Sequence, residues 1–186
     1  HVVDDAESLV IQDPTRGDGL PFHAKVVGTS KELDIALLEC RQLKAPAIPV
    51  NTTPVSRGTE IMAFGFPAAS VFAKGLKSTR GTITGLPSDA TEKMLVLDVQ
   101  VNPGNSGGPL CDRSGRVVGI VAAKAINSTL AESYGSAIPI NDALPFIKQH
   151  IRDYASPKPE TKTAEWTDVD AVISPSTVMI LIQKKQ

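Results

Sequence analysis

The sequence predicts an all-β protein, a sandwich or barrel of short strands. Three observations lead there: residues 1–140 break into short apolar runs, turn residues separate the runs, and helical periodicity comes only afterwards. The chain of 186 residues is about the size of one domain, and its 41% apolar residues with 14 glycines are ordinary for a packed globular chain.

The runs, in order, are Ser8–Ile11, Ala24–Val27, Ile35–Leu38, Glu60–Phe66, Met94–Val101, Val117–Ala123 and Ser136–Ile140. Each is long enough for one strand, and turn signals such as Arg16-Gly17-Asp18-Gly19, Thr52–Arg57, Pro87-Ser88-Asp89 and Asp112–Gly115 lie between them. A helix is predicted next, with Asn141 as its N-cap and Leu144, Ile147, Ile151 and Tyr154 along one apolar stripe. The polar, proline-containing stretch Ser156–Thr163 reads as a linker. Beyond it come Trp166, the pattern Val169, Val172, Pro175-Ser176, and a strand at Val178–Ile182.

Nineteen basic against 20 acidic residues leave a net charge of −1, which gives no sign of a nucleic-acid partner. No apolar run reaches the ~18 residues of a membrane span. Two cysteines, Cys40 and Cys111, are too few for a disulfide framework; each ends an apolar run and reads as a small buried apolar residue. His23 and His150 have no motif around them and read as solvent-facing.

Chemistry concentrates in Asn102-Pro-Gly-Asn-Ser106-Gly-Gly-Pro-Leu110. Glycines at 104, 107 and 108 let the chain turn tightly around a serine and aim backbone N–H groups at one point. A serine needs a base and an orienting acid, and His1-Val-Val and Asp34-Ile-Ala-Leu-Leu38 supply candidates upstream. The order His, Asp, Ser is that of the chymotrypsin-type proteases. The same serine also fits the G-x-S-x-G elbow of α/β-hydrolases, but that elbow needs a helix directly after the serine. Here a Gly-Gly-Pro step, an Asp112–Gly115 turn and the run Val117–Ala123 follow instead.

On these three motifs the chain resembles a trypsin-like serine protease of the HtrA/DegP (Do-like) type. Asp98, four residues before Asn102, and Ser136-Ala-Ile-Pro-Ile140 also fit that pattern, and the resemblance covers roughly residues 1–154. It implies two six-stranded antiparallel barrels and one C-terminal helix, with Ser106 as nucleophile, His1 as general base and acid, and Asp34 holding the imidazole tautomer. The amides of Gly104 and Ser106 would form the oxyanion hole. Asn105 stands where digestive proteases carry an Asp that pairs with a newly cut N-terminus, so activation by that route is not implied. Asp98 reads as a structural hydrogen-bonding group. The substrate pocket would be lined by Gln100, Val101 and Asn102 before the serine motif and by Ala122, Ala123 and Lys124 after it, closed near Tyr134-Gly135-Ser136. The first segment holds no acid, so small or medium apolar side chains fit better than Arg or Lys.

The resemblance further implies about 20–40 residues before the catalytic histidine, including two strands of the N-terminal barrel, so that barrel is expected to be incomplete. The expected layout is a partial N-terminal barrel at 1–66, a C-terminal barrel and helix at 67–154, a linker at 155–165 and a strand-forming tail at 166–186. The tail, Val169 to Ile182, itself resembles the opening of an HtrA-type protease domain. It could start a second domain, supply a strand in cis or to a neighbouring copy, or be an unrelated strand. The implied activity is a serine endopeptidase acting on unfolded polypeptides, with no metal or organic cofactor and an extracytoplasmic location. The rival is a catalytically silent module of the same fold that binds peptides or partners. The tail is too short for a PDZ domain.

Overall fold

The computed structural model describes residues 1–4, 6–13, 21–67, 75–88, 93–122, 134–158 and 164–184. Among these, β1 (Ala6–Gln12), β2 (Phe22–His23), β3 (Lys25–Ser30), β4 (Ile35–Glu39), β5 (Glu60–Gly65) and β6 (Lys77–Gly85) come first. Then follow β7 (Leu95–Leu97), β8 (Pro109–Asp112), β9 (Val117–Ala122), β10 (Gly135–Pro139), α1 (Ile140–His150), α2 (Trp166–Ile173) and β11 (Met179–Lys184).

Strands β5 to β10 close into one six-stranded barrel in the order β10-β7-β6-β5-β8-β9, every pair antiparallel. Its interior is apolar because inward positions carry Ile61, Ile83, Leu97 and Leu110, all fully buried. Each such side chain contributes about 1.5–3 kcal/mol by leaving water. The remaining strands form two open sheets, β11-β1-β2 and β3-β4. Only Ala24 separates β2 from β3, and its amide donates to Leu9 O at 3.1 Å, so one bent segment serves both sheets. Glu60–Gly65, expected at the end of the first unit, belongs instead to the closed barrel, where it pairs with both β6 and β8.

Helix α1 lies across β9 and β10. Ala143 and Leu144 are buried and Ile147 and Tyr154 pack beside them, but Ile151 is exposed because the helix has ended there. Asn141 is not the cap. Pro139 occupies that position without a side-chain bond, and the Asn141 amide nitrogen reaches Thr52 O at 3.2 Å.

The expectation of one C-terminal helix is corrected by α2. Val169 and Ile173, four residues apart on one face, are buried against Met62, Phe64, Cys111, Val117, Ile140 and Leu144. Arg113, on the turn after β8, pins the start of α2. It pairs with Glu60 at 3.2 Å, lies 5.7 Å from the Trp166 ring centroid, and its carbonyl accepts the Ala164 amide at 2.9 Å. A short 3-10 turn (Ser174–Ser176) then leads into β11, which pairs antiparallel with β1, Leu9 opposite Ile182. The tail therefore joins the first sheet in cis.

Three strands were not expected. Lys77–Gly85 buries Ile83 alone among its nine residues, so it reads as a polar stretch. Phe22–His23 and Pro109–Asp112 are too short or too irregular to signal in sequence. The run Met94–Val101 contributes only Leu95–Leu97 to the barrel, because Asp98 turns aside to bind β6. Its carboxylate accepts the Thr82 amide at 2.6 Å and the Thr82 hydroxyl at 2.8 Å, the structural role expected of it. The turn Arg16–Gly19, the end of the turn at Asp89, and the centre of the predicted linker lie outside the described residues.

Candidate active site

The turn between β3 and β4 is tight, with Leu33 donating its amide to Ser30 Oγ at 3.3 Å, and it ends on Asp34 at φ +55°. That left-handed conformation is uncommon outside glycine, and Asp and Asn adopt it more readily than other side chains. The Asp34 side chain is 12% exposed. Its Oδ2 lies 2.7 Å from His1 Nδ1 and its Oδ1 2.7 Å from the His1 backbone nitrogen. Both carboxylate oxygens thus grip one residue. An N–H at the backbone nitrogen, charged or amide, can donate to Oδ1, and Nδ1–H donation to Oδ2 leaves Nε2 as the basic nitrogen of the ring.

The serine turn is built by its glycines. Gly104 sits at φ +100° and Gly107 at +83°, and a Cβ at Gly104 or Gly108 would strike the carbonyl of Phe66 or of Phe64. The backbone is tied on every side. Phe66 donates to Gly104 O at 3.0 Å, Asn105 to Asn102 O at 3.0 Å, Gly107 to Val121 O at 2.8 Å and Gly108 to Asn105 O at 3.0 Å. The Asn105 side chain is buried beside Gly65, and among the described residues its Oδ1 has no hydrogen-bond partner.

His1, Asp34 and Ser106 all line one apolar cavity of 160 Å³, whose other walls include Val2, Ile35, Val121 and Ile138. His1 and Ser106 also border a second cavity of 520 Å³, enclosed by Phe66, Pro103, the serine turn and residues 176–181 of the tail. Three segments far apart in sequence therefore meet at one place.

The expected substrate-pocket residues divide. Ala122 is buried, lines the smaller cavity, and its carbonyl accepts the buried Ser136 hydroxyl at 2.6 Å. Val101 packs against the barrel core near Gly135, whereas Gln100 and Asn102 are exposed and border neither cavity. Ala123 and Lys124 lie outside the described residues. Sequence reasoning missed Phe66, Met179, Ile180 and Leu181 as cavity walls; the apolar run at 178–182 was the available signal. His23 is exposed as expected, but the His150 ring, though exposed, packs over Gly28 and tilts against Phe146 with centroids 4.5 Å apart. Cys111 is buried, and burial pushes its thiol pKa far up; Cys40 is only partly buried, and both are free thiols.

The family model for a trypsin-like peptidase domain matches residues 1–120. The chain belongs to the trypsin-like peptidase family. Among curated relatives, the serine protease Do-like HtrB of Bacillus subtilis is 35% identical over 164 residues, 82% of this chain and 34% of the relative. A DegP-like periplasmic serine endoprotease of Pseudomonas putida is 33% identical over 156 residues, 82% of this chain and 32% of the relative. The solved structure of the HtrA-type protease AlgW with a decapeptide superimposes with a TM-score of 0.68 at 29% identity, covering 82% of this chain and 47% of that one. The chain thus spans about a third of the length of these curated relatives. The resemblance to HtrA/DegP proteases and the all-β, trypsin-like fold expected from the sequence both hold.

Proposed function

We propose that this chain is the catalytic region of a serine endopeptidase that cleaves polypeptides through an acyl-enzyme. The observation that carries the reading is the convergence of His1, Asp34 and Ser106 on one cavity, with His1 Nδ1 held 2.7 Å from Asp34. In this mechanism His1 Nε2 takes the Ser106 hydroxyl proton as Oγ attacks the scissile carbonyl. The proton then passes to the leaving amine, and a water activated by the same nitrogen releases the acyl group. Asp34 keeps the ring in the Nδ1–H tautomer and stabilises the imidazolium.

Gly104 and Ser106 are the proposed oxyanion-hole amides. The neighbouring amides of Asn105, Gly107 and Gly108 are spent on backbone carbonyls, which fixes the turn that carries the pair. The substrate preference is for a small or medium apolar residue before the cut. Support comes from the smaller cavity, walled by Val121, Ala122 and Ile138, where burial rather than counter-charge would select the side chain. The proposed substrate class is unfolded polypeptides outside the cytoplasm; the location is supported by a relative named as a periplasmic serine endoprotease. Among the described residues no helix is long and apolar enough to cross a membrane. The test is cleavage-site profiling on denatured casein: cuts should follow Val, Ala, Leu or Thr, and a majority after Arg or Lys would refute the preference.

A further inference from the structure

The β3–β4 hairpin carries Asp34, and α1 holds that hairpin from one side. Helix α1 is itself fixed to the closed barrel, with Ile140, Ala143 and Leu144 buried and its contacts on β9 and β10. At its C-terminal end His150 lies over Gly28 so closely that a Cβ on Gly28 would overlap the imidazole. The ring is oriented by Phe146 in two ways. Its Nδ1 lies 2.9 Å from Phe146 O, a carbonyl that can only accept, so Nδ1 carries the proton; the ring also tilts against the Phe146 ring. Gly28 stands opposite Leu37, and from there the pairs Thr29–Ala36 and Ser30–Ile35 run without a break to the turn that ends on Asp34. At the turn itself, Ile35 packs against the cluster that contains Ile140, Ala143 and Leu144, and Glu32 accepts a bond from Lys93 at 2.7 Å.

We propose that His150 is a positioning residue for the triad: seated on Gly28, it sets the hairpin against α1 and so sets where Asp34 meets His1. This rests on the protease reading and deepens it. Ile35 and Glu32 hold the hairpin at its turn, and His150 holds it farther down the strand, so the paired strands cannot pivot about the turn. Both Asp34 oxygens lie 2.7 Å from His1 nitrogens, and a swing of the hairpin stretches both bonds at once. A misplacement of about 1 Å at a catalytic group can cost ~100-fold in rate. His150 and Gly28 border neither cavity, so their effect falls on the triad and not on the binding of substrate.

Gly28 does not have a positive φ, so an alanine there strains the chain only through the His150 ring, and Gly28→Ala and His150→Ala break the same contact. Each should lower kcat about 10-fold per active site, counted by covalent labelling of Ser106, with KM unchanged. The double variant should lose no more than the worse single, as two changes to one contact do. A second readout needs no turnover. In the Ser106→Ala chain at alkaline pH, long-range proton–nitrogen NMR correlations from the carbon-bound ring protons report the tautomer of His1. The parent ring should carry its proton on Nδ1, and both variants should shift it toward the Nε2–H form that free histidine favours. Ile151→Ala, at an exposed residue beside His150, should change neither readout. Losses that multiply in the double variant, a KM that rises while kcat holds, or a His1 tautomer unaltered by both substitutions would each overturn the proposal. The protease reading fails separately, if Ser106 of the parent chain takes no label.

Discussion

Ile173→Ala tests whether the tail is part of the fold. Ile173 is 0% exposed and lies in a cluster with Phe64, Cys111, Val117 and Leu144, all residues of the closed barrel or of α1. Removing its outer carbons leaves a hole walled by rigid strands, and Ile→Ala in such a setting costs about 2–5 kcal/mol. For a chain of this size each kcal/mol lowers Tm by about 2–4 °C, so a fall of roughly 4–20 °C is expected. The assay is thermal unfolding by circular dichroism, repeated with urea to check that the transition keeps its slope. Val172→Ala is the internal control. It sits on the same helix at 54% exposed and should shift stability by no more than about 0.5 kcal/mol. If Ile173→Ala moved Tm no more than Val172→Ala does, α2 would not be docked, and the placement of β11 beside the serine turn would lose its support.

Three further outcomes are expected. Asp34→Asn should lower turnover of a peptide substrate by about 10⁴-fold, since a neutral amide no longer holds the Nδ1–H tautomer; a loss under tenfold in steady-state assays would contradict the His1–Asp34 pairing. Gly104→Ala should abolish turnover, because its Cβ would collide with Phe66 O at a positive φ, and an active variant would mean the turn is not built as described. Cys111 should make stability pH-dependent: burial raises its folded pKa above the ordinary value near 9, so its contribution is intact below pH 9 and is lost as pH rises above it. The slope is about 1.4 kcal/mol per pH unit at most, and denaturation midpoints from pH 8 to 10.5 should flatten in Cys111→Ala; identical slopes in both chains would refute the assignment.

The nucleophile segment was legible because its chemistry is contiguous: nine consecutive residues hold the serine, its three glycines and the prolines that shape the turn. The barrel strands with two buried faces, such as Glu60–Gly65 and Val117–Ala122, announced themselves as unbroken apolar runs. Strand β6 did not, since eight of its nine residues are not buried and the pairing is held by backbone and by Asp98 on Thr82. The N-cap at Asn141 misled because β10 runs up to Pro139 and the helix starts directly at Ile140, so Asn141 already lies within its first turn. Cavity walls were the least legible feature. Ile180 borders the site through the pairing of β11 with β1, and Phe66 through its amide bond to Gly104 O, and no local spacing encodes either meeting.

The most direct test of the account is the site at which a fluorophosphonate probe labels the protein. A serine attacks such a reagent well only when a base activates it. Mass spectrometry of the labelled chain should place the adduct on Ser106, with labelling abolished in Ser106→Ala and reduced to background in His1→Ala while both variants keep the parent circular dichroism spectrum. An adduct on another serine, or labelling of Ser106 that survives His1→Ala unchanged, would contradict the assignment of His1 and Ser106 as base and nucleophile.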